Sequence, residues 1–407
     1  MTTSTNPDTR PTNRVTALRF VVGFGVVSAL GDVVYEGARS VIGPFLRDRG
    51  ATAAVVGLVT GIGEAVALVF RLGTGHLADR TGRPWPQTIL GYGLTMVCVP
   101  LMALPGGLAL AASLYNGERF GKALRSPARD MMLAHASAKL GTGYTFGLHE
   151  ALDQTGALAG PLAIAAFLGL GGSLRMSFAL LAVPGAIAMF VLVRLRLAAP
   201  DPAAYDPTAA VSEAKRLRLG GGLSRSFWLY AAFSAATMFG FATWGLLAFH
   251  LVAKHVVSAG FVPVLYAAAM GAAALTAVAS GRVYDRVGFR GLIALPLLGV
   301  LVPLLSFRTS VAAVVAGAIV WGAGMGIHDS TMRAAVTDLV PRHRRGSGYG
   351  TFTAVYGLAW LAGAALIGLL YDQGAAAATW FMVAVQAVAA VLLLPLLTHR
   401  PHLTSGK

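Results

Sequence analysis

Three ionisable residues stand inside a run that is otherwise apolar: Asp32, Glu36 and Arg39. Their i, i+4, i+7 spacing places them on one face of a helix. A later apolar region carries a second stripe, Glu118, Lys122, Arg125 and Arg129, with Arg119 beside it and Pro127 placed to bend its end. Glu64 and Arg71 lie in the run between these two, and His149, Glu150 and Asp153 fall within about one helical turn of another. A carboxylate that is desolvated in one state and wet or ion-paired in another takes up and returns protons as the states exchange. Proton exchange beside a charged-solute site is therefore the chemistry these residues offer, and Arg39, Arg119 and Lys122 are available to an anion. Asp32, Glu36, His149, Glu150 and Asp153 also form an N and O donor set suited to a divalent metal. Structural ion pairs such as Glu118–Lys122, Asp329–Arg333 and Asp32–Arg39 are the competing use of the same residues.

The elements that carry these residues follow from composition. The 407-residue chain is 56% hydrophobic and 12% charged, with a mean hydropathy of +0.68, whereas soluble domains are about a quarter charged. A span across lipid needs roughly 20 apolar residues. Apolar runs place twelve spans, at 20–46, 53–77, 86–105, 108–134, 143–169, 175–193, 227–252, 259–281, 290–307, 310–338, 349–370 and 376–397. Residues 1–16 and 399–407 read as polar tails, 17–194 and 226–398 as two six-helix bundles, and 195–225, with its prolines and its Lys215-Arg216-Leu217-Arg218 run, as a linker. The fold class is all-α, a membrane protein of twelve helices in two pseudo-symmetric halves. The single Cys98 allows no intramolecular disulfide.

A net charge of +15 raises the question of nucleic acid. Topology answers it: 22 of the 32 Lys and Arg fall on the side of the membrane that holds the N-terminus. That is the positive-inside bias, so both termini are expected to be cytoplasmic, with the bilayer and not nucleic acid as the charged partner. Spans three, six, nine and twelve have no Asp, Glu, Lys or Arg between their ends, which suits them to the lipid-facing periphery.

The halves repeat a phrase. Gly75-His76-Leu77-Ala78-Asp79-Arg80-Thr81-Gly82-Arg83 returns 206 residues later as Gly281-Arg282-Val283-Tyr284-Asp285-Arg286-Val287-Gly288. A repeated basic turn at matching places marks a duplicated helical bundle, an architecture that moves solutes. The halves are chemically unequal, because the second offers only His250, His328, Asp329, Arg333 and Asp338. The first is expected to handle protons and the second to supply shape and apolar contact.

Over residues 17–400 the chain resembles a major facilitator superfamily transporter. Gly75 to Arg83 matches that superfamily's G-x-L-A-D-R-x-G-R signature. Gly147, Gly156, Gly160 and Pro161 fit G-x8-G-x3-G-P, the helix-five motif of the twelve-helix drug/proton antiporters, although Ile164 and Ala165 stand where the pattern has a glycine pair. The resemblance implies that Asp79 latches the cytoplasmic side closed through Arg125 or Arg129 and the positive end of helix eleven. Gly75, Arg80, Gly82 and Arg83, with Asp285 and Arg286 of the second copy, would share that role.

Trp85, Trp228 and Trp380 lie at span ends, where the interfacial belt accounts for them. Trp244 and Trp321, with Tyr35 and Tyr115 opposite, are the expected cavity aromatics if the cargo is an amphipathic cation. The chain has no Walker-type loop, CxxC or HExxH, so neither an ATP-driven pump nor an enzyme is indicated, and no cofactor. The expected function is proton-coupled export of a small organic molecule by a monomer in the cell membrane. Uptake of an anion by symport, export of a divalent metal, and a non-transporting sensor or lipid-handling scaffold are the alternatives.

Overall fold

The computed structural model describes residues 13–206, 222–340 and 345–397. Among them the chain forms fourteen α-helices and no strand. The first half comprises α1 (Ala17–Arg47), α2 (Ala53–Thr81), α3 (Pro84–Leu101), α4 (Leu108–Leu140), α5 (Thr142–Gly169), α6 (Leu174–Leu180) and α7 (Ala182–Ala198). The second comprises α8 (Arg225–Phe239), α9 (Trp244–Ala253), α10 (Val262–Val287), α11 (Ala294–Ser306), α12 (Val311–Leu339), α13 (Arg345–Gln373) and α14 (Ala375–Leu393). Among the described residues nine stretches are long and apolar enough to cross a membrane, and one of them, Val262–Ser306, contains both α10 and α11. Adding α3 and the highly charged α4 accounts for all twelve expected crossings, since α6 with α7 and α8 with α9 each form one.

Local sequence sets the ends. Thr16, Thr52, Ser173 and Ser224 accept the backbone N–H three residues on, satisfying donors that a helix start leaves open. Gly82 closes α2 at φ 59°, and Gly288 ends α10 at φ 62°. These are the corresponding glycines of the repeated phrase, and the left-handed conformation explains why both copies keep them.

Packing repeats as the sequence does. In the first half α1 packs on α5 and α7, while α4 packs on α2 and α3. In the second, α8 packs on α13 and α14, while α12 packs on α10 and α11. Close helix approach depends on small residues. A Cβ at Gly156 or Gly160 of α5 would sit 2.0 and 2.4 Å from Ala29 O and Val33 O of α1. Gly363 of α13 stands in the same relation, 2.1 Å, to Phe239 O of α8. Across the halves α2 meets α13 and α5 meets α10, a pairing that exchanging the halves preserves.

One expectation needs correcting. The seventh span reads as a continuous helix but is broken between Phe239 and Trp244. Gly240 is a weak helix former, and side chains from other helices take the freed carbonyls. Trp321 Nε1 donates to Ala242 O at 2.9 Å, and Gln386 Nε2 to Gly240 O at 3.2 Å.

Candidate functional site: a charged cavity between the halves

The halves press together at the end away from the central linker. A Cβ at Gly43 of α1 would lie 2.0 Å from Gly245 O of α9, and one at Gly57 of α2 would lie 2.3 Å from Ala364 O of α13. Trp244 Nε1 donates to Ser40 O at 3.0 Å, and the Thr60 and Thr243 hydroxyls are 2.8 Å apart. Asp372, in the last turn of α13, accepts the backbone N–H groups of Ala53 and Ala54 at 2.9 Å each, capping α2 from the opposite half. Toward the linker end these helices enclose a cavity of about 530 Å³ whose wall runs out to the exposed Asp130 and Glu150.

One wall, from α1, α2, α4 and α5, holds Asp32, Tyr35, Glu36, Arg39, Glu64, Arg71, Arg119, Lys122, Arg125, Arg129, Glu150 and Asp153. The other, from α10, α12 and α13, is Met270, Ala273, Ala274, Ala277, Val278, Met325, Gly326, Ser330, Tyr356 and Trp360, with Asp329 as its one acid. The ionisable residues thus gather on the first-half wall and the apolar ones on the second-half wall.

At the closed end of the charged wall lies a chain of alternating charge. Arg39 Nη2 donates to Glu64 Oε1 at 2.7 Å, and Arg119 Nε to Glu118 Oε2 at 2.6 Å. Contacts of 3.8 Å join Arg119 to Glu64 and Arg39 to Glu36. All five residues are buried, so each charge depends on its neighbours for the solvation that water would otherwise give. The chain ends across the interface, where Tyr266 of α10 donates its O–H to Glu36 Oε2 at 2.5 Å. Tyr35 braces the middle, accepting from Arg119 at 2.7 Å and from Arg39 at 3.1 Å.

The expected ion pairs rearrange accordingly. Arg39 takes Glu64 rather than Asp32, and Glu118 takes Arg119 rather than Lys122. Lys122 makes no ion pair within 4 Å among the described residues, and its ammonium lies 3.7 Å from the centre of the Tyr35 ring. The Arg333 side chain lies outside the described residues.

Some expected site residues stand apart from the cavity. Trp244 and Trp321 are fully buried, and their indole N–H groups are spent on Ser40 O and Ala242 O. Tyr115 is buried 5.3 Å from the Arg119 guanidinium. Tyr35 does line the cavity, but its ring already faces Arg39, Arg119 and Lys122 of the protein itself. Tyr356 and Trp360 supply the aromatic lining of the facing wall. His328 is buried between the Phe241 and Tyr356 rings. His149 is buried and its Nε2 lies 2.8 Å from the Ser28 hydroxyl, and it is not among the residues lining the cavity. Among the described residues no group of three or more His, Cys, Asp or Glu is placed to hold a metal, so the set Asp32, Glu36, His149, Glu150 and Asp153 does not assemble as a metal site.

The signature turn is open in this conformation. Asp79, Arg80, Gly82 and Arg83 are exposed, as are Asp285 and Arg286 in the second copy. Arg125 donates to Thr95, and Arg129 pairs with Asp130 at 3.0 Å, so neither binds Asp79 here. Gly75 packs on Pro127. In the helix-five motif Gly156 and Gly160 make the α1 contact and Pro161 is buried in the same helix, while a Cβ at Gly147 would meet nothing within 4 Å. Sequence reasoning missed Tyr266, Tyr356 and Asp372. An acid next to an apolar run's end, as Asp372 is, was the available signal, and the tyrosines gave none.

The Major Facilitator Superfamily profile matches residues 24–290 and 246–407, and the chain belongs to that family. It is a multi-pass membrane transporter of that family. A relative from Mycobacterium tuberculosis, itself uncharacterised, is 48% identical over 386 residues, 95% of this chain and 94% of its own. Among solved structures, the nucleoside transporter NupG superimposes with a TM-score of 0.71 at 12% identity, covering 94% of this chain and 100% of that one. The peptide transporter POT in complex with sulfate gives 0.69 at 15% identity, covering 93% and 94%. At such identities the likeness is one of fold.

Proposed function

We propose that this protein exports a small organic molecule in exchange for protons, by alternating access, from a cell membrane in which both termini are cytoplasmic. The observation that carries the reading is the Glu36–Tyr266 bond. It ties the acidic face of one half to the other half, next to a cavity open at the linker end. An ionised Glu36 accepts a strong hydrogen bond and holds the empty carrier in this state. A proton on Glu36, or cargo that repolarises the chain Glu36–Arg39–Glu64–Arg119, weakens the tie and lets the halves rock. A carrier that is held when empty and released by either load exchanges one for the other.

Asp32 is the second coupling acid, on the same face and one turn earlier. The Asp79 latch, with Arg125 or Arg129 as partner, belongs to the opposite state, in which the linker end closes. Nucleosides and peptides, named for the two solved transporters above, support a small organic cargo in general and no particular one.

The test is reconstitution in vesicles loaded with a pH dye and acidified inside. An exchanger expels protons when cargo is added outside, a symporter draws them in, and a scaffold does neither. Inward proton flux, or none with any cargo the purified protein binds, overturns the exchange reading.

A further inference from the structure

The charged wall keeps both signs in reserve after its internal pairs are formed. Asp32 has no hydrogen bond or ion pair among the described residues, and Asp153 leaves Oδ1 without a donor. Lys122 has no carboxylate within 4 Å among the described residues. These groups line one cavity, Asp32 from α1, Lys122 from α4 and Asp153 from α5. An unmatched charge in a cavity of low polarity is costly, and a matched one is not. A purely cationic solute would satisfy the two carboxylates and press a like charge on Lys122. A purely anionic one would satisfy Lys122 and face two carboxylates. Only a solute carrying both signs a few ångströms apart completes the set.

The facing wall says what the rest of that solute is. Met270, Ala273, Ala277, Met325, Tyr356 and Trp360 line it, apolar and, through the methionines, adaptable in shape. Trp360 is only 3% exposed, yet its indole N–H has no acceptor among the described residues. That donor points to a polar atom supplied by what fills the cavity, because a buried N–H left unpaired costs free energy.

We propose that the cargo is an amino-acid-like zwitterion with a bulky apolar side chain, its ammonium held by Asp32 and Asp153 and its carboxylate by Lys122. The proposal rests on the transport reading above and narrows it to a substrate class. The side chain lies against Met270 and Met325, with Trp360 donating to an acceptor on the cargo. Because the ammonium occupies the carboxylates that a proton would otherwise hold, cargo and proton compete for one place.

Equilibrium binding to the purified protein in detergent tests this with three probes: phenylalanine, phenylalaninamide and N-acetylphenylalanine. Phenylalanine should bind, and each probe lacking one charge should bind at least about tenfold more weakly. Lys122→Gln should erase the preference over the amide, Asp153→Asn the preference over the N-acetyl acid, and Lys122→Arg should keep both. Thermal unfolding without ligand identifies any variant that fails to fold. Amide binding as tight as phenylalanine, N-acetyl acid binding as tight, or no binding of any probe overturns the proposal. Binding in detergent needs neither rocking nor a proton gradient, so these outcomes leave the exchange reading standing. Selective binding without proton flux in vesicles would do the reverse.

Discussion

Tyr266 of one half donates its hydroxyl hydrogen bond to Glu36 of the other, 2.5 Å away, with both residues buried. The contact joins the charged network to the seam along which a two-bundle transporter divides. It therefore stands where the loss of one hydrogen bond bears directly on the contact between the halves.

Asp372 supplies a second tie at the same end, capping α2 through Ala53 and Ala54. Caps of this kind contribute about 0.5–2 kcal/mol, and a carboxylate at a helix N-terminus gains further from the helix dipole. Asp372→Ala should shift the balance toward the state open at the far end by roughly 3- to 30-fold. Cysteine labelling at residues buried in the far-end seam would detect it as faster modification.

Gly43 and Gly156 make contacts of equal closeness with opposite meaning. Gly43 meets Gly245 across the seam, whereas Gly156 meets Ala29 inside one half. Gly43→Ala should fold normally and disfavour far-end closure, and Gly156→Ala should lower thermal stability. Comparing labelling with melting temperature for the two variants separates these effects.

The Arg39–Glu64 pair is buried on both sides, 2.7 Å apart. Arg39→Met leaves Glu64 with only its 3.8 Å contact to Arg119 and should cost up to about 3–5 kcal/mol, while the double change Arg39→Met with Glu64→Leu should restore much of it. Denaturation of the three proteins in detergent checks both. The double variant, even if stable, should not transport.

Asp79 is exposed in this state, so Asp79→Asn should leave folding, insertion and binding from the linker side unchanged. It should slow turnover, because the closure of the linker end loses its carboxylate. Turnover equal to wild type would count against the latch.

The crossings were legible because each needs its own long apolar run, and the turns because Gly82 and Gly288 both require a positive φ. The charged wall was legible because an ionisable residue inside such a run is conspicuous. Its pairing was not. Spacing along α1 suggested Asp32 for Arg39, but Glu64 arrives from α2 and only the packing of α1, α2 and α4 brings it near. Trp244 and Trp321 misled for a related reason: their polar atoms reach Ser40 and Ala242, contacts formed only when the seventh crossing breaks. Tyr266 could not be singled out, since its importance comes from standing across the seam from Glu36.

The role of Glu36 is tested most directly by the distance between the halves at the far end. Spin labels at Asp48→Cys and Ser258→Cys, both exposed and on opposite halves, report it. Glu36→Gln replaces the charged acceptor with a neutral one, which weakens a charged hydrogen bond of about 1.5–3 kcal/mol. The longer distance should then grow in population in Glu36→Gln relative to the wild type. A distribution that ignores the Glu36→Gln change would contradict the tie and, with it, the control of the seam by the charge on Glu36.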